Sequence, residues 1–191
     1  MDDKELNSCI KKYKKNGDNF YFEKIYRHFF SKIYRYISLR IFNKDIAEDL
    51  TSEVFIRVYR NLNKVNLNAI TIKVWIYKIA RNLIIDYFRS SQNRINLKSF
   101  DEYLEKDKEI ESLDSALVDQ GEIILNDMLF KNEKLIDALN SLPETQREII
   151  FLRYAEGMDF KSISLILNKR EIALRALKFR ALENLKSKLI D

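Results

Sequence analysis

Along most of this chain apolar residues recur at intervals of three and four, as at Phe22, Ile25, Phe29, Ile33 and Ile37, with no sustained one-in-two alternation. The first spacing is that of a helix burying one face, the second that of a half-buried strand. Only three glycines (Gly17, Gly121, Gly157) and one proline (Pro143) punctuate the 191 residues. That leaves too little turn chemistry for a hairpin-rich sheet protein. The expected fold class is all-α.

The periodic segments fall into two groups. Leu6, Ile10 and Tyr13 mark an opening helix closed near Gly17, and the run from Phe22 to Ile37 marks a second. A third starts at NKDIAED, where Asp45 and Glu48 have the spacing of a capping box, and continues through Leu50, Val54, Val58 and Leu62. The polar stretch NLNKVNLNAIT precedes a fourth, VWIYKIARNLIIDYFR, and four helices of this length make one bundle. From Ser90 the chain turns polar and acidic, with too little apolar surface to offset the entropy of ordering, and reads as a linker. Periodicity resumes with Ile124, Met128, Leu135 and Leu139; Pro143 then opens a helix that ends at Gly157. The expected domains are residues 1–92, an acidic linker over 93–121, and residues 122–191.

In DFKSISLILNKREIALRALKFRALENLKSKL a short helix on Phe160, Ile163 and Leu167 meets a tight turn at Asn168 and Lys169. A longer basic helix follows, anchored by Leu174, Leu177, Ala181 and Leu185. So short a turn fits a helix-turn-helix whose second member enters a major groove; it also fits a plain helical hairpin.

Charge is distributed unevenly around the net +5. Residues 1–95 carry 19 bases and 10 acids, residues 96–134 carry 5 and 11, and residues 135–191 carry 10 and 8. Basic ends flanking an acidic middle suit a polyanion such as nucleic acid, or equally a solvated lysine-rich surface. Cys9 and His28 stand alone, which leaves no disulfide framework, zinc cluster or Cys/His catalytic pair. No cofactor or metal is expected. Without a span-length apolar run or a secretory start, the chain is expected in the cytoplasm, with no membrane insertion.

The fourth helix has two faces. Ile72, Ile76, Ile79, Leu83 and Tyr87 share one, assigned to the core; Trp75, Lys78, Asn82, Asp86 and Arg89 share the other, with Arg81 beside it near Tyr77 and Phe88. An aromatic, an amide and cations on one stripe suit an unpaired nucleic-acid strand, bases stacking while cations follow phosphate. The same residues also fit a core tryptophan among solvated bases.

DLTSEVFIRVYRNL, Asp49 to Leu62, followed by VWIYKIARNLIIDYFR, resembles the conserved second region of bacterial sigma factors of the sigma-70 family, particularly the extracytoplasmic-function (ECF) group. LNSLPETQREIIFLRYAEGMDFKSISLILN resembles that group's fourth region, and GDNFYFEKIY its usual lead-in. Together they cover nearly the whole chain apart from the linker. The match departs from the family pattern at Ser52, Val65, Lys169 and Arg170, and in the order of Leu177 and Lys178.

The resemblance implies a subunit of RNA polymerase that is not itself an enzyme. Asp49, Ser52, Glu53, Ile56, Arg57 and Arg60 would dock on the clamp coiled coil of the polymerase's largest subunit, and the polymerase's flap region is a further contact the resemblance implies. Val65, Asn66, Asn68, Lys73, Trp75, Lys78, Arg81, Asn82 and Arg89 would capture the melted minus-10 strand of promoter DNA. Lys169, Arg170, Glu171, Arg175 and Lys178 would read the minus-35 element as duplex, and the linker would thread the polymerase's nucleic-acid channels. An anti-sigma protein is a further partner the resemblance allows. Two other functions fit the helical pattern: a helix-turn-helix regulator that binds duplex DNA by itself, and a helical adaptor that binds no DNA.

Overall fold

The structure, a computed structural model, describes residues 1, 3–67, 70–92 and 133–190. The chain divides into two units, Met1–Ser91 and Gln92–Asp191. Every element among the described residues is helical. The expected linker, Ile124, Met128 and Asn68 lie outside those residues.

In the first unit, α1 (Asp3–Asn16) buries Leu6, Cys9, Ile10 and Tyr13 along one face. It stops where Gly17 takes φ 65, a left-handed conformation glycine adopts without a Cβ penalty, and donates its N–H to the Tyr13 carbonyl at 2.7 Å. Asp18 restarts the chain by accepting the Phe20 N–H at 2.9 Å, and α2 (Asn19–Ser38) buries Ile25, Phe29, Ile33, Tyr36 and Ile37.

The capping box expected at Asp45 is absent. Asn43 caps α3 (Lys44–Asn61), its Oδ1 accepting the Ile46 N–H at 3.1 Å. The helix therefore starts two residues earlier, which leaves Asp45 inside the first turn, where its charge suits the helix dipole. Glu48, the presumed reciprocal partner, instead lies 3.7 Å from Lys44. Ala47, Thr51, Val54, Phe55 and Val58 are buried, whereas Leu50 is only half-buried.

Thr71 accepts the Val74 N–H at 3.2 Å at the start of α4 (Ile72–Gln92). The buried arc of α4 is wider than the periodicity suggested: Ile72, Val74, Ile76, Tyr77, Ala80, Leu83 and Ile84 are buried, while Ile79 and Tyr87 are half-buried. Aromatic pairs tie the bundle together. Tyr26 of α2 meets Phe55 of α3 edge-on at 4.8 Å, and Tyr36 of α2 meets Tyr77 of α4 at 5.1 Å.

Among the described residues of the second unit, α5 (Glu133–Asn140) comes first and Pro143 stands at the head of α6 (Glu144–Ile150), which continues as a π-helical turn, Phe151–Ala155. The sequence pattern suggested an unbroken α-helix here. The chain must reverse at Gly157 (φ 61), which brings the Met158 N–H onto the Leu152 carbonyl at 3.0 Å. In an α-helix that carbonyl would take the Glu156 N–H, which instead reaches back to Phe151 at 3.1 Å. Asp159 then caps α7 (Phe160–Leu167), accepting the Ser162 N–H at 2.8 Å. Asn168, at φ 55 and ψ 42, supplies the left-handed turn before α8 (Glu171–Ile190). Leu174, Leu177, Ala181 and Leu185 are all buried, as their spacing required.

Candidate nucleic-acid and partner interfaces

The outward stripe of α3 combines charge with apolar surface. Asp49, Ser52, Ile56 and Arg60 are exposed, Ile56 at 43%. Glu53 and Arg57 are half-buried and pair with each other, Arg57 Nε donating to Glu53 Oε1 at 2.8 Å. Ser52 Oγ donates to the Glu48 carbonyl at 3.0 Å. One turn along, Tyr59 is also exposed, its hydroxyl donating to Asn19 at 3.2 Å. Such a mixed ionic and apolar strip suits a helical protein partner.

On α4, Asn82, Asp86 and Arg89 are exposed, while Lys73, Trp75, Lys78 and Arg81 are half-buried. Trp75 thus belongs neither wholly to the core nor wholly to solvent. Tyr77, placed from the sequence only as a neighbour of Arg81, is fully buried against Tyr36. In the loop before α4, Val65 is half-buried and Asn66 exposed, and Lys14 of α1 donates from Nζ to the Val65 carbonyl. That bond ties the loop to the first helix, which sequence reading had not connected with it.

In the second unit, Arg170 and Arg175 are exposed, and Lys169, Glu171 and Lys178 are half-buried. Arg175 Nη2 lies 3.3 Å from Glu171 Oε2. The cations converge on one ring: Arg175 sits 4.8 Å from the Phe160 centroid, Arg153 5.4 Å and Lys178 6.0 Å. The exposed side of α8 also presents Ile172, Phe179 and Arg180. A basic N-terminal half on the exposed side of α8, behind a tight left-handed turn, suits a helix that enters a major groove.

Family models match both units in order: Sigma-70 region 2 over residues 22–94 and Sigma-70, region 4 over residues 132–185. The chain is 30% identical over 149 residues to the ECF RNA polymerase sigma factor SigM of Bacillus subtilis, covering 76% of this chain and 80% of SigM. The chain belongs to the sigma-70 family, in its ECF group. The ECF sigma factor BldN of Streptomyces coelicolor is also 30% identical, over 175 residues; the match covers 92% of this chain and spans 62% of BldN's length. Among solved structures, CnrH in complex with the cytosolic domain of CnrY covers 97% of both chains at a TM-score of 0.64 and 14% identity, a likeness of fold. The sigma factor RpoE of Bartonella quintana, solved with the anti-sigma factor NepR, gives the same TM-score at 19% identity, covering 88% of this chain and 96% of RpoE.

Within this sigma factor, α1 lies ahead of the matched second region. Sequence reading placed Phe160 as an apolar anchor of α7 but did not connect it with Arg153 or Arg175, because nothing in the spacing joins the end of α6 to α7 and α8. Ile172, Phe179 and Arg180 could have been found from helical spacing, since Phe179 follows Ile172 by two turns and Arg175 by one. Among the described residues no cluster of His, Cys, Asp and Glu could hold a metal ion, and no helix is long and apolar enough to cross a membrane.

The cap of α7 titrates. Asp159 stays ionised below its ordinary range because it accepts bonds from the Ser162 side chain and backbone, with Lys161 and Arg153 adding attraction. A carboxylate whose folded pKa is depressed contributes stability above its unfolded pKa, about 3.9, and loses it as pH falls through the lower folded value. Asp159→Asn keeps a capping oxygen that does not titrate. The midpoint of the helical urea transition that Trp75 fluorescence does not account for, followed by circular dichroism, should therefore fall more steeply for the parent than for Asp159→Asn below about pH 4. Parallel acid limbs would show that the cap is not linked to protonation.

Proposed function

We propose that this protein is an alternative sigma factor that binds core RNA polymerase and directs promoter-specific transcription initiation from the cytoplasm. The observation that carries the proposal is the ordered pair of units: region 2 with the Trp75 stripe on its last helix, then region 4 with its helix-turn-helix. In this proposal residues 1–92 hold the polymerase clamp and the melted minus-10 strand, 93–121 form the acidic connection, and 122–191 read the minus-35 duplex. Strand capture uses the half-buried Trp75 for a base and neighbouring cations for phosphate. The protein contributes positioning and strand binding, while bond formation belongs to the polymerase. An anti-sigma partner, of the kind NepR is for RpoE, completes the proposal.

Run-off transcription with core polymerase on genomic fragments, with start sites mapped, tests it directly. Specific initiation that needs both proteins is the expected result. Specific duplex binding by the free chain, with no effect on initiation, would favour the stand-alone regulator. No DNA binding even with polymerase would favour an adaptor.

The docking surface has its own test. Asp49→Lys with Glu53→Lys reverses two charges outside the buried core of α3, at the cost of one partly exposed Glu53–Arg57 pair, so the fold should persist, which circular dichroism checks. Like charges brought against a partner's positive groups cost several kcal/mol, so core-polymerase affinity should fall at least about tenfold. Undiminished binding by the double variant would place the interface on another surface.

A further inference from the structure

Phe160 is half-buried at the start of α7, and three cations from two other elements lie over its ring. Arg175 and Lys178 come from α8 and Arg153 from the π-helical turn, with the Arg175 guanidinium nearest at 4.8 Å. The ring face carries the negative lobe of its quadrupole, so it offsets repulsion among cations gathered there. Arg175 is fixed a second time by Glu171, whose Oε2 lies 3.3 Å from Nη2. Its side chain is nevertheless 60% exposed. At 4.8 Å over the ring the guanidinium is close enough to stack its flat face on Phe160, an arrangement that would leave in-plane N–H donors for the two acceptors of a guanine in the major groove.

We propose that Phe160 is a positioning residue of the minus-35 reader: its ring holds Arg175 by one face and presents the guanidinium edge to a base, while Arg153 and Lys178 flank the contact with positive charge. The proposal rests on the reading of Arg175 as a base contact. It adds a residue that does not touch DNA and yet sets how selective Arg175 is. Fixing the side chain before binding removes rotamer freedom that would otherwise be lost on the correct sequence, so the ring sharpens discrimination more than it adds affinity.

The test uses the full chain bound to core polymerase and a duplex promoter library randomised across the minus-35 positions. Arg175→Ala identifies the base pair at which preference relaxes. Phe160→Leu should lower preference at that same base pair about two- to fivefold, the range of an exposed cation–π contact, and Phe160→Tyr should retain it. Phenylalanine at 160 carrying increasing numbers of fluorines keeps the ring's shape while removing its quadrupole, and preference should decline in step. In an Arg175→Ala background Phe160→Leu should change base preference no further, as expected for two residues acting through one contact. Equal weakening on every sequence, an undiminished effect in the Arg175→Ala background, or indifference to fluorination would each overturn the proposal and leave Phe160 a packing residue. If Arg175→Ala itself leaves base preference intact, the base-reading role of Arg175 fails first and takes the positioning role with it.

Discussion

Truncating Tyr77 to alanine is expected to cost about 3 to 5 kcal/mol and to bring the first unit close to unfolding. Tyr77 is fully buried, edge-on to Tyr36 at 5.1 Å and 66°. Removing its ring therefore empties a site where α4 meets α2, and Tyr36 loses the partner that fills the other half of the contact. A domain of this size has on the order of 5 to 15 kcal/mol in hand, so the loss takes a large share of its stability. Trp75, the sole tryptophan, lies two residues away in the same unit, so its fluorescence reports the urea transition of that unit alone. Tyr77→Phe, which keeps the ring and removes one hydroxyl, should cost no more than about 1.5 kcal/mol. A parental midpoint for Tyr77→Ala would show that the ring is not part of the core.

Tyr77 also shows where the sequence became ambiguous. A single row of apolar residues, Ile72, Ile76 and Leu83, was legible from its spacing and is buried. Val74, Tyr77, Ala80 and Ile84 form a second row on an adjoining face, also at three- and four-residue steps, and are buried too. A helix enclosed on more than one side buries both rows, and spacing alone does not say how wide its buried arc is. Tyrosine compounds the ambiguity because its hydroxyl allows a place at the surface. On α8, where one row faces the core, Leu174, Leu177, Ala181 and Leu185 were read correctly. The burial of Leu177 and half-burial of Lys178 also accommodate the departure from the family order at those two positions.

The cap of α3 was obscured by local competition. Asn43 and Asp45 are both good capping residues, and Glu48 stands at the box spacing only from Asp45. The structure gives the cap to Asn43, and the choice depends on how the chain leaves α2. The residues proposed for the interfaces come chiefly from family resemblance. Their coupling was not: the Arg153–Phe160–Arg175 cluster joins residues from three elements through the turns at Gly157 and Asn168, and no periodicity relates them. The bond from Lys14 to the Val65 carbonyl likewise spans most of the first unit.

Trp75→Ala is expected to fail in the opposite way from Tyr77→Ala. Trp75 is half-buried on the stripe that carries Lys78, Asn82 and Arg89, so its removal opens less of the core. The first unit should stay folded by circular dichroism, with a smaller loss of stability than Tyr77→Ala causes. What it should lose is strand opening, because stacking or pocketing a base is worth about 1 to 3 kcal/mol and exists only once the strand is unpaired. Binding of the closed promoter should change little, since in the proposed assignment the minus-35 duplex is read by the other unit. Formation of the open complex should fall roughly five- to more than a hundredfold across that energy range. A template carrying a pre-melted bubble at the minus-10 element removes the cost of unpairing and should restore most of the transcription. Arg175→Ala on the same bubble should keep its altered sequence preference, because that defect lies in duplex reading. If folded Trp75→Ala melts an intact promoter as well as the parent does, the aromatic serves packing alone and strand capture belongs to other residues of α4.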